Sequence, residues 1–111
     1  MLKNITREMW DNEMRKYKGS CPNESNSIYE ENLVNFYTCY DDIDLLENIE
    51  SDTTQLLKEI EKSEFYSKVV KNLSYEIDDL CKIGFVDIFL NENVTYKDFK
   101  SFLEYIKNNF N

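Results

Sequence analysis

Carboxylates are the groups of this chain whose types and spacing could do chemistry. Asp41, Asp42 and Asp44 stand close enough in sequence for two of them to share a helical face, where a pair of carboxylates can bind a hard, oxygen-seeking ion such as magnesium. Glu76, Asp78 and Asp79 would supply the second set from a facing helix. With 22 Asp and Glu in 111 residues, such groupings arise by chance, and a solvated acidic face is the simpler expectation. No metal is assigned. The chain has no His, which removes Ser-His-Asp and Cys-His nucleophiles, the usual zinc and haem ligands and the commonest general base. Cys21 lies beside Pro22 with no base or helix N-terminus at hand to lower its pKa, so it reads as an inert thiol. Gly occurs only at 19 and 84, too sparsely for a phosphate-cradling loop. A protein that is not an enzyme, with no catalytic residue and no cofactor, is the expectation.

Asp87 to Asp98 has the length of an EF-hand calcium loop, with Asn91 and Asn93 inside it and Val94 at the hydrophobic eighth position. Phe89 takes the third position, where a ligand belongs, and Glu92 takes the sixth, where Gly permits the turn. The stretch therefore reads as the start of a helix capped by Thr95.

Charge is distributed unevenly. From Gly19 to Leu57 there are 39 residues without Lys or Arg and nine acids: Glu24, Glu30, Glu31, Asp41, Asp42, Asp44, Glu47, Glu50 and Asp52. This window accounts for the whole formal net charge of -9, since the first 18 residues are slightly basic and the last 54 near balance. It also holds Tyr29, Phe36, Tyr37 and Tyr40, and an acidic tail without structure would be poor in aromatics. Acids that steer a cationic partner and tyrosines that anchor it are the expected combination at an interface. The candidate partner-binding residues are Glu30, Glu31, Tyr37, Tyr40, Asp41, Asp42, Asp44, Glu47, Glu50 and Asp52. Direct nucleic-acid binding is disfavoured, because clustered Lys and Arg are absent outside the weakly basic first segment.

The elements that must position these residues read as helices. Ile5, Met9, Trp10, Met14 and Tyr17 predict a first helix, stopped near Gly19 and Pro22. Ser27 and Glu30 form a capping-box pattern opening a second helix over 28–50, and Asp52 with Gln55 marks a restart after a break at Ser51-Asp52-Thr53-Thr54. The third helix passes through Leu56, Leu57 and Ile60 and kinks or continues near Ser63. Tyr66, Val70, Leu73, Ile77, Leu80 and Gly84 step by four, three, four, three and four, predicting a helix closed by a Gly cap. Residues 85–90 are too short to assign by period, and Phe99, Phe102, Leu103, Ile106 and Phe110 predict a final helix.

The expected fold is all-α: a single domain over 1–111, a compact bundle of four to six helices, with one short strand-like segment at 85–90 as an option. Three Cys at unrelated spacings give neither a disulfide framework nor a metal knuckle, and no leader or spanning segment is evident, so a cytoplasmic setting is expected. The absence of Ala and the abundance of Asn, Lys and Ile are biases that an AT-rich genome imposes. The expected function is an acidic, immunity-type inhibitor that occludes the cationic site of a nuclease-like toxin. Alternatives are a phage or viral nucleic-acid mimic that blocks a defence protein, and a small helical adaptor that binds a partner helix in an apolar groove.

Overall fold

Polar and apolar residues alternate strictly from Asn72 to Asp78, placing Leu73, Tyr75 and Ile77 on one side and Asn72, Ser74, Glu76 and Asp78 on the other. That is the period of a strand, and it prevails. The computed structural model describes residues 1–16, 23–24, 27–39, 46–80 and 83–109. Among them the chain forms, in order, α1 (Arg7–Arg15), β1 (Asn23–Glu24), a 3₁₀ turn (Tyr29–Glu31), β2 (Leu33–Cys39), α2 (Leu46–Lys62), α3 (Phe65–Val69), β3 (Val70–Asp78), β4 (Ile83–Leu90) and α4 (Tyr96–Asn109). Three long antiparallel strands make the sheet, the two-residue β1 is added beside β2, and the spatial order is β1-β2-β4-β3. β2 and β3 both run antiparallel to the central β4, so α2 and α3 cross between two parallel strands with a third inserted, a split β-α-β unit.

This mixed α/β architecture overturns the all-α bundle. The helix expected over 28–50 stops after one turn, where Asn32 takes a left-handed conformation (φ 56°) and the Leu33–Cys39 run, rich in β-branched and aromatic residues, pairs with β4. Ser27 and Glu30 open no α-helix, since Ile28 precedes the 3₁₀ turn without a side-chain cap. The break at 51–54 does not occur: α2 runs unbroken through Asp52. The Thr53 and Thr54 hydroxyls donate back to the carbonyls of Ile49 (2.7 Å) and Ser51 (2.9 Å) within it. The helix expected over 66–84 is instead the short α3 followed by β3, and Gly84 lies within β4 opposite Thr38 and Ile77. Residues 85–90 are a strand, the central one of the sheet. Tyr17, the expected stop at Gly19 and Pro22, and Phe110 lie outside the described residues.

The first and last helices follow their sequence signals. Thr6 caps α1, its Oγ1 accepting from the Met9 N–H at 3.2 Å, and Thr95 caps α4, accepting from the Asp98 N–H at 3.1 Å. Near Ser63, α2 gives way to α3. The core lies between the helices and one face of the sheet. β4 contributes Val86, Ile88 and Leu90, β2 contributes Val34 and Phe36, and α4 contributes Phe99, Phe102, Leu103 and Ile106. Trp10 stacks on Phe99 (centroids 5.3 Å apart, planes at 12°) and meets Tyr29 edge-on at 5.7 Å. The Tyr29 hydroxyl donates to the Ile5 carbonyl at 2.6 Å, so this tyrosine is a core anchor and not an interface residue. No helix among the described residues is long and apolar enough to cross a membrane.

Candidate acidic and aromatic interface

Burial alternates along β4: Gly84, Val86, Ile88 and Leu90 are buried under the helices, whereas Ile83, Phe85, Asp87 and Phe89 are half-buried on the opposite face. The pairing register extends that second face to Leu33, Asn35 and the position of Tyr37 on β2, and to Asn72, Ser74, Glu76 and Asp78 on β3. The buried helical side chains belong to the other face; on this one, among the described residues, Asn72, Ser74 and Glu76 are exposed, Leu33, Phe85, Asp87 and Phe89 are half-buried, and Asn35 is buried. Two phenylalanines and a leucine on an outward sheet face are more apolar than solubility requires.

Two adjoining hollows mark it. One, of about 270 Å³, is lined by Leu33, Asn35, Glu76, Phe85, Asp87 and Phe89. The other, of about 420 Å³, is lined by Glu76, Ile77, Asp78, Asp79, Leu80 and Phe85. Glu76 and Phe85 belong to both. Leu80, at the tip of the β3–β4 connection, is 96% exposed, an apolar side chain presented among carboxylates. In the first hollow Asn35 Nδ2 donates to Asp87 Oδ1 across the directly paired β2 and β4 positions, which orients that carboxylate. Asp78 Oδ1 accepts from the Leu80 N–H at 3.0 Å and so shapes the turn.

The register also places the rest of the acidic window. Cys39, Ile83 and Asp78 lie side by side, so β2 ends, β3 ends and β4 begins at one end of the sheet. The chain leaves β2 there for the segment that carries Tyr40, Asp41, Asp42 and Asp44, which lie outside the described residues, and then enters α2. Residues 33–57 hold six acids and no cation, and residues 72–90 hold four acids and Lys82, ten carboxylates against one ammonium.

The other residues expected at an interface separate into distinct places. Tyr37 occupies the β2 position opposite Phe85. Glu47 belongs to α2, and Glu50 and Asp52 are exposed farther along it. Glu50 accepts from the Tyr75 hydroxyl at 3.4 Å. Glu30 forms an exposed ion pair with Arg7 at 2.5 Å, and Glu31 is exposed at the end of the 3₁₀ turn. Local spacing does not single out Phe85, Phe89 and Leu80, which line these hollows, and offers Glu76, Asp78 and Asp79 only as possible metal ligands. The alternation of 72–78 was the signal that could have found the face.

Among the described residues no three His, Cys, Asp or Glu are grouped so as to hold a metal ion. One further carboxylate is unusual, on the helical side. Glu13 is buried, and its carboxylate accepts from the Tyr96 hydroxyl at 2.7 Å and from Lys16 Nζ at 3.1 Å. Burial pushes the Glu13 carboxyl up, but the hydrogen bonds from Tyr96 and Lys16 and the charges of Lys16 and Lys100 outweigh it and hold the pKa below the ordinary value. The same contact raises the Tyr96 hydroxyl. Tyr96 and the charge of Lys100 tie Glu13 to α4, while Lys16 holds it from the end of α1 itself, a structural use of the group. Comparison with protein families, with curated proteins and with solved structures finds no match.

Proposed function

We propose that this chain is a non-enzymatic inhibitor that binds a cationic protein surface, of the immunity type that blocks a nuclease-like toxin. The observation that carries the proposal is the pair of adjoining hollows sharing Glu76 and Phe85 on the outward face of the sheet. Apolar side chains there supply the area that a complex buries, and carboxylates around them supply the complementary field. A nuclease presents Lys and Arg to its substrate's phosphates, so an acidic face of this kind occludes the cleft that the substrate would use. Tyr37, Tyr40, Asp41, Asp42, Asp44 and Glu47 belong to the same proposed contact, because the sheet end at Cys39 leads directly into them. Glu31, on the 3₁₀ turn, and Glu50 and Asp52, exposed on α2, add charges that steer the approach.

Confinement of the uncompensated charge to residues 19–57 of the chain favours an inhibitor of a single cationic site over a nucleic-acid mimic, whose charges would be spread over the surface. Titration of the cationic protein recovered from the source cells tests this: its nuclease activity should fall linearly to zero at one equivalent. Full activity in the presence of excess inhibitor would overturn the proposal.

A further inference from the structure

β3 is the outer strand of the sheet, and among the described residues nothing pairs along its free edge. Among the described residues the opposite edge carries the two-residue β1. After one irregularity between Val70 and Asn72, β3 pairs regularly with β4 from Asn72 to Asp78, a stretch of roughly 24 Å at the rise of an extended strand. Every second residue of such a strand points its N–H and C=O away from the sheet, a template for one more strand. No Pro interrupts it.

Charge and shape along that edge select the strand that fits. Exposed Lys68 and Lys71 stand at its beginning, and exposed Glu76 and Asp79 stand toward its end. Tyr75 is the midpoint of the regular stretch and is 37% exposed. We infer that β3 pairs antiparallel with β3 of a second copy about a two-fold axis beside Tyr75, joining two sheets into one.

In this register Leu73 of each chain lies opposite Ile77 of the other and the two Tyr75 side chains meet as a cross-strand aromatic pair, while Lys71, at the irregularity before the regular stretch, comes toward Asp79, in the turn after it, with opposite charge. Parallel pairing would set like charges side by side at both ends. The net charge of -9 per chain opposes association only weakly at physiological salt, where the screening length is about 8 Å and contacts between strands are shorter. Self-pairing of β3 leaves the outward sheet face open and shares Asp79 with the proposed partner contact, whereas Lys71 belongs to the self-pairing edge alone.

Sedimentation equilibrium on the full chain, with two reciprocal charge variants, tests the inference. The unaltered chain should self-associate reversibly to a dimer. Lys71→Glu and Asp79→Lys should each weaken the dimer at least tenfold, because the two-fold axis duplicates every repulsive pair. Mixed in equal amounts, the two variants should form a heterodimer, since each then meets the opposite charge at both ends. Circular dichroism on each variant should match that of the unaltered chain, as both positions are exposed. A chain that stays monomeric up to roughly millimolar concentration would overturn the inference, as would a dimer unaffected by either variant.

Discussion

Replacing Ile88 and Phe85 separately by Ser distinguishes a strand from a helix at 85–90 and tests which face of β4 is covered. On a helix these positions, three apart, share a face and would respond alike. On a strand they point to opposite sides. Ile88 has no exposed surface and is flanked in the register by Val34 and Leu73, so Ile88→Ser removes a core side chain at a cost of about 2–5 kcal/mol. It also buries a hydroxyl without a ready partner, a further cost of about 1–3 kcal/mol. The total approaches the whole stability of an ordinary domain, about 5–15 kcal/mol. Phe85 is partly buried on the other face, where the new hydroxyl can reach water and only part of the ring's transfer energy is lost, about 1–2 kcal/mol. Urea unfolding followed by the fluorescence of Trp10, the single Trp, reads both variants. Phe85→Ser should unfold cooperatively at a slightly lower midpoint, whereas Ile88→Ser should be largely unfolded without denaturant. Equal losses in the two variants would refute the assignment of faces.

Glu13→Gln should cost about 1–2 kcal/mol near neutral pH, because a charge-assisted contact with Lys16 and Tyr96 becomes a neutral one. The folded-state pKa of Glu13 lies below the ordinary value of 4.5, so its stabilisation is present above that pH and is lost as pH falls through the folded pKa. Thermal melts below about pH 4.5 should therefore converge for Glu13→Gln and the unaltered chain; a constant gap would remove the linkage. Asn32→Gly should leave the melting temperature within about 2 °C and Asn32→Val should lower it by several degrees, since only the branched side chain resists a φ of 56°. Thr95→Ala should cost about 1 kcal/mol through loss of the α4 cap, and an unchanged urea midpoint would contradict the capping role.

The sequence was most legible where a helix carries its own signals. Thr95 ahead of an apolar stripe placed α4, and Ile5 to Met14 placed α1. It misled where two periods fit the same residues. Tyr66 to Gly84 satisfies helical spacing because Val70, Leu73, Ile77 and Leu80 fall at three- and four-residue steps, yet Leu73, Tyr75 and Ile77 also alternate with polar residues. The strand prevails because β4 offers a buried, continuously apolar partner on one side, a long-range contact invisible to a local window. In the same way Ser27 and Glu30 had the form of a helix start, but Glu30 is taken by Arg7 and Asn32 turns the chain into β2. The acidity of the window was legible from composition alone. Its neighbours Phe85, Phe89 and Leu80 were not, because only the pairing of β2 with β4 and the β3–β4 turn brings them beside it.

The central claim is that the outward sheet face binds a cationic protein through Phe85 and the carboxylates around it. The most direct measurement is stopped-flow association and dissociation with that protein at low and high salt, comparing the unaltered chain with Phe85→Ala and with Glu76→Gln/Asp79→Asn. Phe85→Ala should speed dissociation by roughly 30-fold, the effect of about 2 kcal/mol at a hot spot, with little change in association. The double carboxylate variant should slow association and flatten its salt dependence, leaving dissociation nearly unchanged. Rates identical to those of the unaltered chain in both variants, at both salt concentrations, would contradict the claim.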